Sequence, residues 1–191
     1  MSRIRIIAGG LKGRVIPFSN KKFDDADITP QKVKGAVFSM IGEWLEGKGF
    51  LDLYAGSGQI GLEALSRGAD PVVLNEPDAR RFHFITSYLD GLDLATRPLL
   101  LNLTDQKALD HLKSLDITAH YIFLDPPYNK IKNVVVQHWG IIQKISDSGI
   151  LRRNGKIIIQ HFSANILDEK IGPYHLRSTK KYGRTSLSVY S

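Results

Sequence analysis

The sequence contains no cysteine. This absence excludes disulfide bonds, thiolate nucleophiles and cysteine-ligated zinc. No apolar run reaches the roughly 18 residues that a membrane-spanning helix needs, and the first residues lack the apolar core of a signal peptide. The six histidines are scattered without metal-ligand spacing. We therefore expect a cytoplasmic protein with no membrane partner and no metal.

Acidic residues are missing from both ends of the chain. Residues 1–22 carry six cations and no acid, and residues 170–191 carry five cations and no acid. Because the whole chain has a net charge of +7, the part between them carries seven minus eleven, or −4. Two basic ends on an acidic body predict a directed field that attracts a polyanion. The alternative interpretation is that both ends are simply solvated.

Short apolar runs alternate with helix-length segments from residue 50 onwards. The runs are 50–54, 71–75, 98–102, 121–125 and 156–160, and the segments between them are 58–67, 78–91, 105–115 and about 131–148. This pattern predicts an α/β fold with a mostly parallel sheet that is covered on both faces. Two alternating stretches then face each other across Gly183 and predict a closing antiparallel hairpin.

The part before residue 50 predicts a basic hairpin and one helix. Residues 3–18 alternate basic and apolar side chains around glycines, which is typical of a hairpin with one basic face. A helix should then begin after an N-cap at Thr29 and end before Gly47. Its apolar side and the core should include Val33, Val37, Ile41, Trp44 and, further along the chain, Trp139. We divide the chain into a hairpin extension, 1–28, and a main domain, 29–191.

A glycine-rich turn follows the first strand of the predicted sheet. Gly56, Gly58 and Gly61 have the spacing G-x-G-x-x-G, which lets backbone approach a ligand closely. Glu76 ends the next strand, 18 residues beyond Gly58, where it could accept hydrogen bonds from ribose hydroxyls. These features fit NAD and S-adenosylmethionine equally. An acid at a helix N-terminus is the alternative role for Glu76.

The stretch YIFLDPPYNK, residues 121–130, ends an apolar strand with two prolines. Asp125 and the carbonyl of Pro126 could accept the two N–H groups of a planar amine and direct its lone pair toward a methyl group. Tyr128 offers a face on which the base could stack. The stretch predicts methylation of a planar amine on adenine, cytosine or guanine. A hydride-transfer enzyme has no need of Asp-Pro-Pro-Tyr at this strand end, and a turn without chemistry remains the other interpretation.

Together these motifs resemble the RsmD-type methyltransferases, which modify guanine N2 in small-subunit ribosomal RNA. The resemblance runs nearly end to end and rests on residues 5–17, 29–41, 51–69, 123–128 and 182–190. It implies a Rossmann-like methyltransferase fold, S-adenosylmethionine as methyl donor, and ribosomal RNA or an assembling small subunit as partner of a monomer. DNA amino-methyltransferases share the Asp-Pro-Pro-Tyr turn, but the chain has no room for a target-recognition domain. A silent RNA-binding protein would not need Asp125 and Tyr128.

The resemblance also implies roles for individual residues. The catalytic set is Asp125, Pro126 and Tyr128. The cofactor set is Asp52, Tyr54, Gly56, Ser57, Gly58, Glu76 and, after the third strand, Thr104 or Asp105. From their charge, we expect Arg3, Arg5, Lys12, Arg14, Lys32 and Lys34 to contact RNA. Two positions depart from the family: Asp27 stands where the family usually has Arg, and Arg184 stands where it commonly has Asp.

Overall fold

The chain forms one large mixed sheet and a separate two-stranded sheet, and the computed structural model describes residues 4–23, 28–126 and 138–191. The strands are β1 (Ile4–Arg5), β2 (Val15–Ile16), β3 (Phe50–Asp52), β4 (Val72–Asn75), β5 (Leu99–Leu101), β6 (Ala119–Leu124), β7 (Leu151–Phe162), β8 (Lys170–Ile171), β9 (Tyr174–Tyr182) and β10 (Thr185–Tyr190). The helices are α1 (Gln31–Ile41), α2 (Gln59–Ser66), α3 (Ala79–Asp90), α4 (Asp105–Ser114) and α5 (His138–Ser148), with a short 3-10 helix at Asn20–Phe23.

The large sheet has eight strands in the order β5-β4-β3-β6-β7-β10-β9-β8. The first five strands in this order (β5, β4, β3, β6 and β7) run parallel to each other, and β10, β9 and β8 are added antiparallel. The predicted parallel sheet with a closing hairpin is therefore confirmed. Strand β7 begins earlier than predicted, because Leu151 already pairs with Ala119 before a bulge shifts the register to Tyr121 and Lys156.

The strand order reverses beside β3, and this reversal indicates where a ligand should bind. From β3 the chain moves outward to β4 and β5, and then returns to add β6 on the other side of β3. In open α/β sheets, ligands bind beyond the carboxyl ends of the strands at such a reversal. The ends of β3 and β6 carry the glycine-rich turn and Asp125, respectively. The topology therefore brings the glycine-rich turn and Asp125 to the same edge of the sheet.

Each face of the sheet has its own apolar core. One cluster contains side chains of the N-terminal strands and of α1, α2 and α3, and the other contains side chains of α4 and α5. Ile4 and Ile16 are buried with Val33 and Val37 of α1. The hairpin extension, called the arm from here on, thus shares a core with α1, and the division at residue 28 stays a prediction. No described helix is long and apolar enough to cross a membrane.

Helix α1 is shorter than predicted. It begins at Gln31 after Pro30 and ends at Ile41. The next residue, Gly42, has φ of 113°, and its N–H donates to the carbonyl of Phe38. Trp44 therefore lies beyond the helix and is 61% exposed, so its prediction as a core residue is wrong. The side chain of Trp139 lies outside the described part of the chain.

The N-terminal arm alternates as the sequence predicts. Strands β1 and β2 pair antiparallel, with Ile4 buried and Arg5 exposed. Gly9 has φ of 80°, and a Cβ at this residue would lie 1.6 Å from the carbonyl oxygen of Ser66. Only glycine allows this approach, so the loop of the hairpin packs directly on the end of α2.

Candidate active site

The turn between β3 and α2 offers open backbone at the head of the cleft. Gly56 and Gly58 have φ of 57° and 77°, the left-handed region that glycine adopts without strain. A Cβ built on Gly56 would have no described atom within 4 Å. Ser57 between them is buried. The turn can therefore admit a ligand against its main chain.

Asp52 holds this turn from the end of β3. Its Oδ2 accepts a hydrogen bond of 2.9 Å from the backbone N–H of Gly61. Gly61 has no room for a side chain, because a Cβ there would lie 2.2 Å from Cδ2 of Leu74. The Oδ1 of Asp52 is buried and has no hydrogen-bond partner among the described residues. Burial raises the pKa of this carboxyl to about 8.

Glu76 supports the same turn from the end of β4. Its Oε2 accepts the N–H of Gly56 at 2.6 Å, and its Oε1 accepts the N–H of Asp78 at 2.8 Å. Arg81 lies 3.9 Å from Oε1. Burial raises the pKa of Glu76, while the two backbone hydrogen bonds oppose that shift. Each carboxylate oxygen has a second lone pair, so Glu76 can hold the turn and still accept a hydroxyl.

A third acid lies after β5. The Tyr54 hydroxyl donates to Oδ2 of Asp105 at 3.1 Å, and Lys144 lies 3.3 Å from Oδ1. Burial raises the pKa of Tyr54, and the charge of Asp105 raises it further. Thr104 occupies the N-cap position of α4 without a side-chain cap bond. Of the two residues predicted to meet the adenine, Asp105 is thus the one already engaged within the protein.

Asp125 follows β6, the strand that pairs with β3, and so lies beside the glycine-rich turn. Its Oδ2 accepts hydrogen bonds from Nε2 of Gln160 at 2.9 Å and from Oγ1 of Thr29 at 3.3 Å. Asp125 and Glu76 both lie near enough to Asp52 to raise its pKa by charge repulsion. Pro126 is partly exposed, and Tyr128 lies outside the described residues. The strand ends therefore bring together three of the predicted acids.

Comparison with known proteins identifies the family of this chain. A family profile described as "Conserved hypothetical protein 95" matches residues 4–191. YlbH of Bacillus subtilis, which is named for rRNA methylation, is 31% identical over 189 residues, covering 98% of each chain. The chain belongs to this RsmD-type methyltransferase family.

Further relatives extend the match in sequence and in fold. The Escherichia coli protein named ribosomal RNA small subunit methyltransferase D is 25% identical over 194 residues, covering 98% of this chain and 89% of that one. The solved structure of yhhF from Escherichia coli, named as a methyltransferase, superposes with a TM-score of 0.79 at 25% identity, covering 99% of this chain and 97% of that one. The predicted Rossmann-like methyltransferase fold is confirmed.

The predicted RNA-contacting residues divide in the structure. Arg5, Lys12, Arg14 and Lys32 are exposed, and Arg3 lies outside the described part. Lys34 is only 1% exposed, and its ammonium lies 3.1 Å from Glu63. The prediction for Lys34 is therefore corrected.

Lys34 belongs instead to a buried polar cluster around Glu63. The Lys34 ammonium donates to the carbonyl of Arg5 at 2.6 Å, and Arg67 lies 3.0 Å from Oε1 of Glu63. Glu63 also accepts the backbone N–H groups of Ile7 and Ala8. Burial lowers the pKa of Lys34, and Glu63 opposes that shift. The cluster joins the arm, α1 and α2.

Two residues that contact Asp125 are not among the predicted site residues. The sequence predicts Thr29 as a helix cap, but its hydroxyl donates to Asp125. Gln160 ends an apolar run, and a polar side chain at the end of a buried parallel strand is the one local signal that could have identified it. Among the residues that the structure describes, no group of three acidic or histidine side chains could hold a metal ion.

Proposed function

We propose that this methyltransferase transfers a methyl group to the exocyclic N2 amine of a guanine in small-subunit ribosomal RNA. The observation that carries the proposal is the Asp125 carboxylate, fixed at the end of β6 beside the glycine-rich turn of β3. The names of the relatives support ribosomal RNA as the substrate class. The choice of guanine N2 extends the family resemblance to this chain.

The described residues fit S-adenosylmethionine as the methyl donor. The open backbone at Gly56 would accommodate the methionine end, and the buried, unpaired Oδ1 of Asp52 offers it a polar contact. Glu76 would accept ribose hydroxyls, and Asp105 or Thr104 would contact the adenine. When bound, the cofactor supplies an electrophilic methyl group. A solved methyltransferase of this fold was obtained with S-adenosylhomocysteine, which agrees with the cofactor prediction.

Asp125 and Pro126 act on the acceptor amine. Asp125 would accept one N–H and the Pro126 carbonyl the other, which turns the nitrogen lone pair toward the methyl group. Positive charge would develop on the nitrogen as it gains the methyl group. The Asp125 carboxylate would stabilise that charge and accept the proton that the amine then loses. Tyr128 would stack on the base, which must leave its own stack to enter the cleft.

The basic arm supplies the RNA contacts in this proposal. Arg5, Lys12, Arg14 and Lys32 are exposed, and the arm shares its core with α1, which begins two residues after Thr29. Replacing Arg5, Lys12 and Arg14 by Ala should weaken RNA binding and lower its salt dependence by roughly one log–log unit for each phosphate that is no longer neutralised. Replacing the exposed Lys107 and Lys113 of α4 by Ala is the control on the other face.

Methyl transfer to ribosomal RNA tests the function itself. Purified protein is incubated with labelled S-adenosylmethionine and either naked small-subunit RNA or small-subunit particles from a strain that lacks the enzyme, and the nucleosides are then separated. The expected product is N2-methylguanosine. N6-methyladenosine or N4-methylcytidine would retain the acceptor chemistry but reject the guanine assignment. No methyl transfer to either RNA substrate would reject ribosomal RNA as the substrate.

A further inference from the structure

The amide of Gln160 has one satisfied end and one unsatisfied end. Its Nε2 donates to Oδ2 of Asp125 at 2.9 Å. Its Oε1 is buried and has no hydrogen-bond partner among the described residues, and the whole side chain is only 4% exposed. A buried carbonyl oxygen without a donor is unfavourable. Beside the Asp125 carboxylate, this atom has a free lone pair that a substrate N–H could occupy.

Asp125 determines which way this amide points. An ionised carboxylate can only accept hydrogen bonds, so the amide must turn its N–H group toward Asp125. The reversed amide would place two acceptor oxygens against each other. The pairing of Leu124 with Ile159 also puts Asp125 and Gln160 side by side on one face of the sheet. The carbonyl oxygen of Gln160 is therefore presented as a hydrogen-bond acceptor.

We propose that Gln160 selects guanine by accepting the N–H of the ring position next to the methylated amine. This proposal rests on the proposed function. In guanine, N1 carries a hydrogen beside the N2 amine, so Asp125 and Gln160 would accept neighbouring donors. In adenine and cytosine the ring nitrogen beside the exocyclic amine is an acceptor, and it would oppose the Gln160 oxygen. Sites built to pair a polar group reject analogues that leave it unpaired.

A base analogue removes this hydrogen bond. 2-Aminopurine keeps the 2-amino group, but its N1 has no hydrogen and it also lacks O6, so the comparison between wild type and a Gln160 variant isolates the N1 contribution. Short RNAs carrying either guanine or 2-aminopurine at the target position are compared by their kcat/KM for methyl transfer. Wild-type protein should prefer guanine by about 10- to 100-fold. Gln160→Met, which keeps the side-chain length but has no amide, should reduce that preference to a few-fold.

Two further variants make the result specific. Gln160→Glu keeps an acceptor toward N1 but sets a second carboxylate against Asp125, so it should lower kcat and preserve the guanine preference. Gln143→Met makes the same change at an exposed position on α5 and should alter neither quantity. Cofactor affinity and thermal unfolding of each variant establish that it is folded.

The outcomes separate this inference from the proposed function. If wild-type protein makes no N2-methylguanosine, the proposed function is wrong, and the inference about Gln160 is wrong with it. If it does, and folded Gln160→Met discriminates against 2-aminopurine as strongly as wild type, then Gln160 does not read N1 and the inference is wrong. Loss of the guanine preference in Gln160→Glu would also contradict it, because that variant retains the acceptor.

Discussion

The two sides of the candidate site hold their acids differently. The donor side, at the ends of β3 and β4, would bind the methyl donor, and the acceptor side, at the end of β6, would meet the methyl acceptor. On the donor side, Asp52 and Glu76 accept hydrogen bonds from backbone N–H groups. On the acceptor side, Asp125 accepts hydrogen bonds from the side chains of Thr29 and Gln160. Asp52 and Glu76 are thus held by the main chain, whereas Asp125 is held by side chains from separate elements.

The difference suits the two tasks of the site, binding the cofactor and acting on the RNA base. A turn that binds a constant cofactor benefits from acids that cannot move without unfolding the main chain. An acid that meets a variable polymer substrate can be tuned by side chains without altering the sheet. Substitutions on the donor side should therefore affect stability and cofactor affinity, and substitutions on the acceptor side should affect turnover.

Glu63 should give the largest effect on stability. Glu63→Gln leaves Lys34 and Arg67 buried without their counter-charge, so we expect a loss of about 3–5 kcal/mol in the free energy of unfolding. Urea-induced unfolding measures it, with Glu169→Gln at an exposed position as the matched control. A loss equal to that of the control would mean that the buried cluster around Glu63 does not stabilise the packing of the arm, α1 and α2.

Asp52 should give the next largest effect, through pH. Its folded pKa of about 8 lies above its ordinary value of 3.8, so the folded state keeps the proton longer than the unfolded state. The stability contributed by this group is complete below pH 4 and is lost as the pH rises toward 8, by at most about 1.4 kcal/mol per pH unit. Asp52→Asn should remove that slope. Parallel curves for both proteins between pH 5 and 7.5 would show that burial does not keep Asp52 protonated.

Glu76 should affect cofactor affinity more than turnover. Glu76→Gln removes a charged acceptor for the ribose hydroxyls, and the expected loss in S-adenosylmethionine binding is about 1–3 kcal/mol by calorimetry. Glu169→Gln again serves as the control. Unchanged affinity would leave Glu76 only its contacts with Gly56 and Asp78. Tighter binding of NAD than of S-adenosylmethionine would contradict the cofactor assignment.

The sequence is most informative where the chemistry is local. The alternation of apolar runs with helix-length segments predicts the sheet, and the glycine-rich turn with Asp52, Glu76 and Asp125 predicts the acids at the strand ends, because short segments carry these signals. Thr29 and Gln160 escape prediction because they lie 96 and 35 residues from Asp125, and only the fold brings them together. Lys34 is misassigned for the same reason, since its partner Glu63 lies on another helix.

Thr29 should give the smallest effect, and it should be confined to the acceptor side. Thr29→Val keeps the shape but removes the hydroxyl that donates to Asp125, so we expect kcat to fall by an amount equivalent to about 0.5–1.5 kcal/mol. Thr29→Ser keeps the hydroxyl and should retain most activity. An equal loss in both variants, or a change in cofactor affinity, would assign Thr29 to packing.

The central claim is that Asp125 acts on the methyl acceptor, and it is tested by measuring kcat and cofactor affinity on the same Asp125→Ala protein. We predict that kcat for ribosomal RNA falls by about two orders of magnitude or more, because a group that stabilises the transition state is removed. The dissociation constant for S-adenosylmethionine should stay within about two-fold of wild type, since the donor acids are unchanged. Asp147→Ala, at an exposed position on α5, is the control. Full turnover in Asp125→Ala would contradict the account.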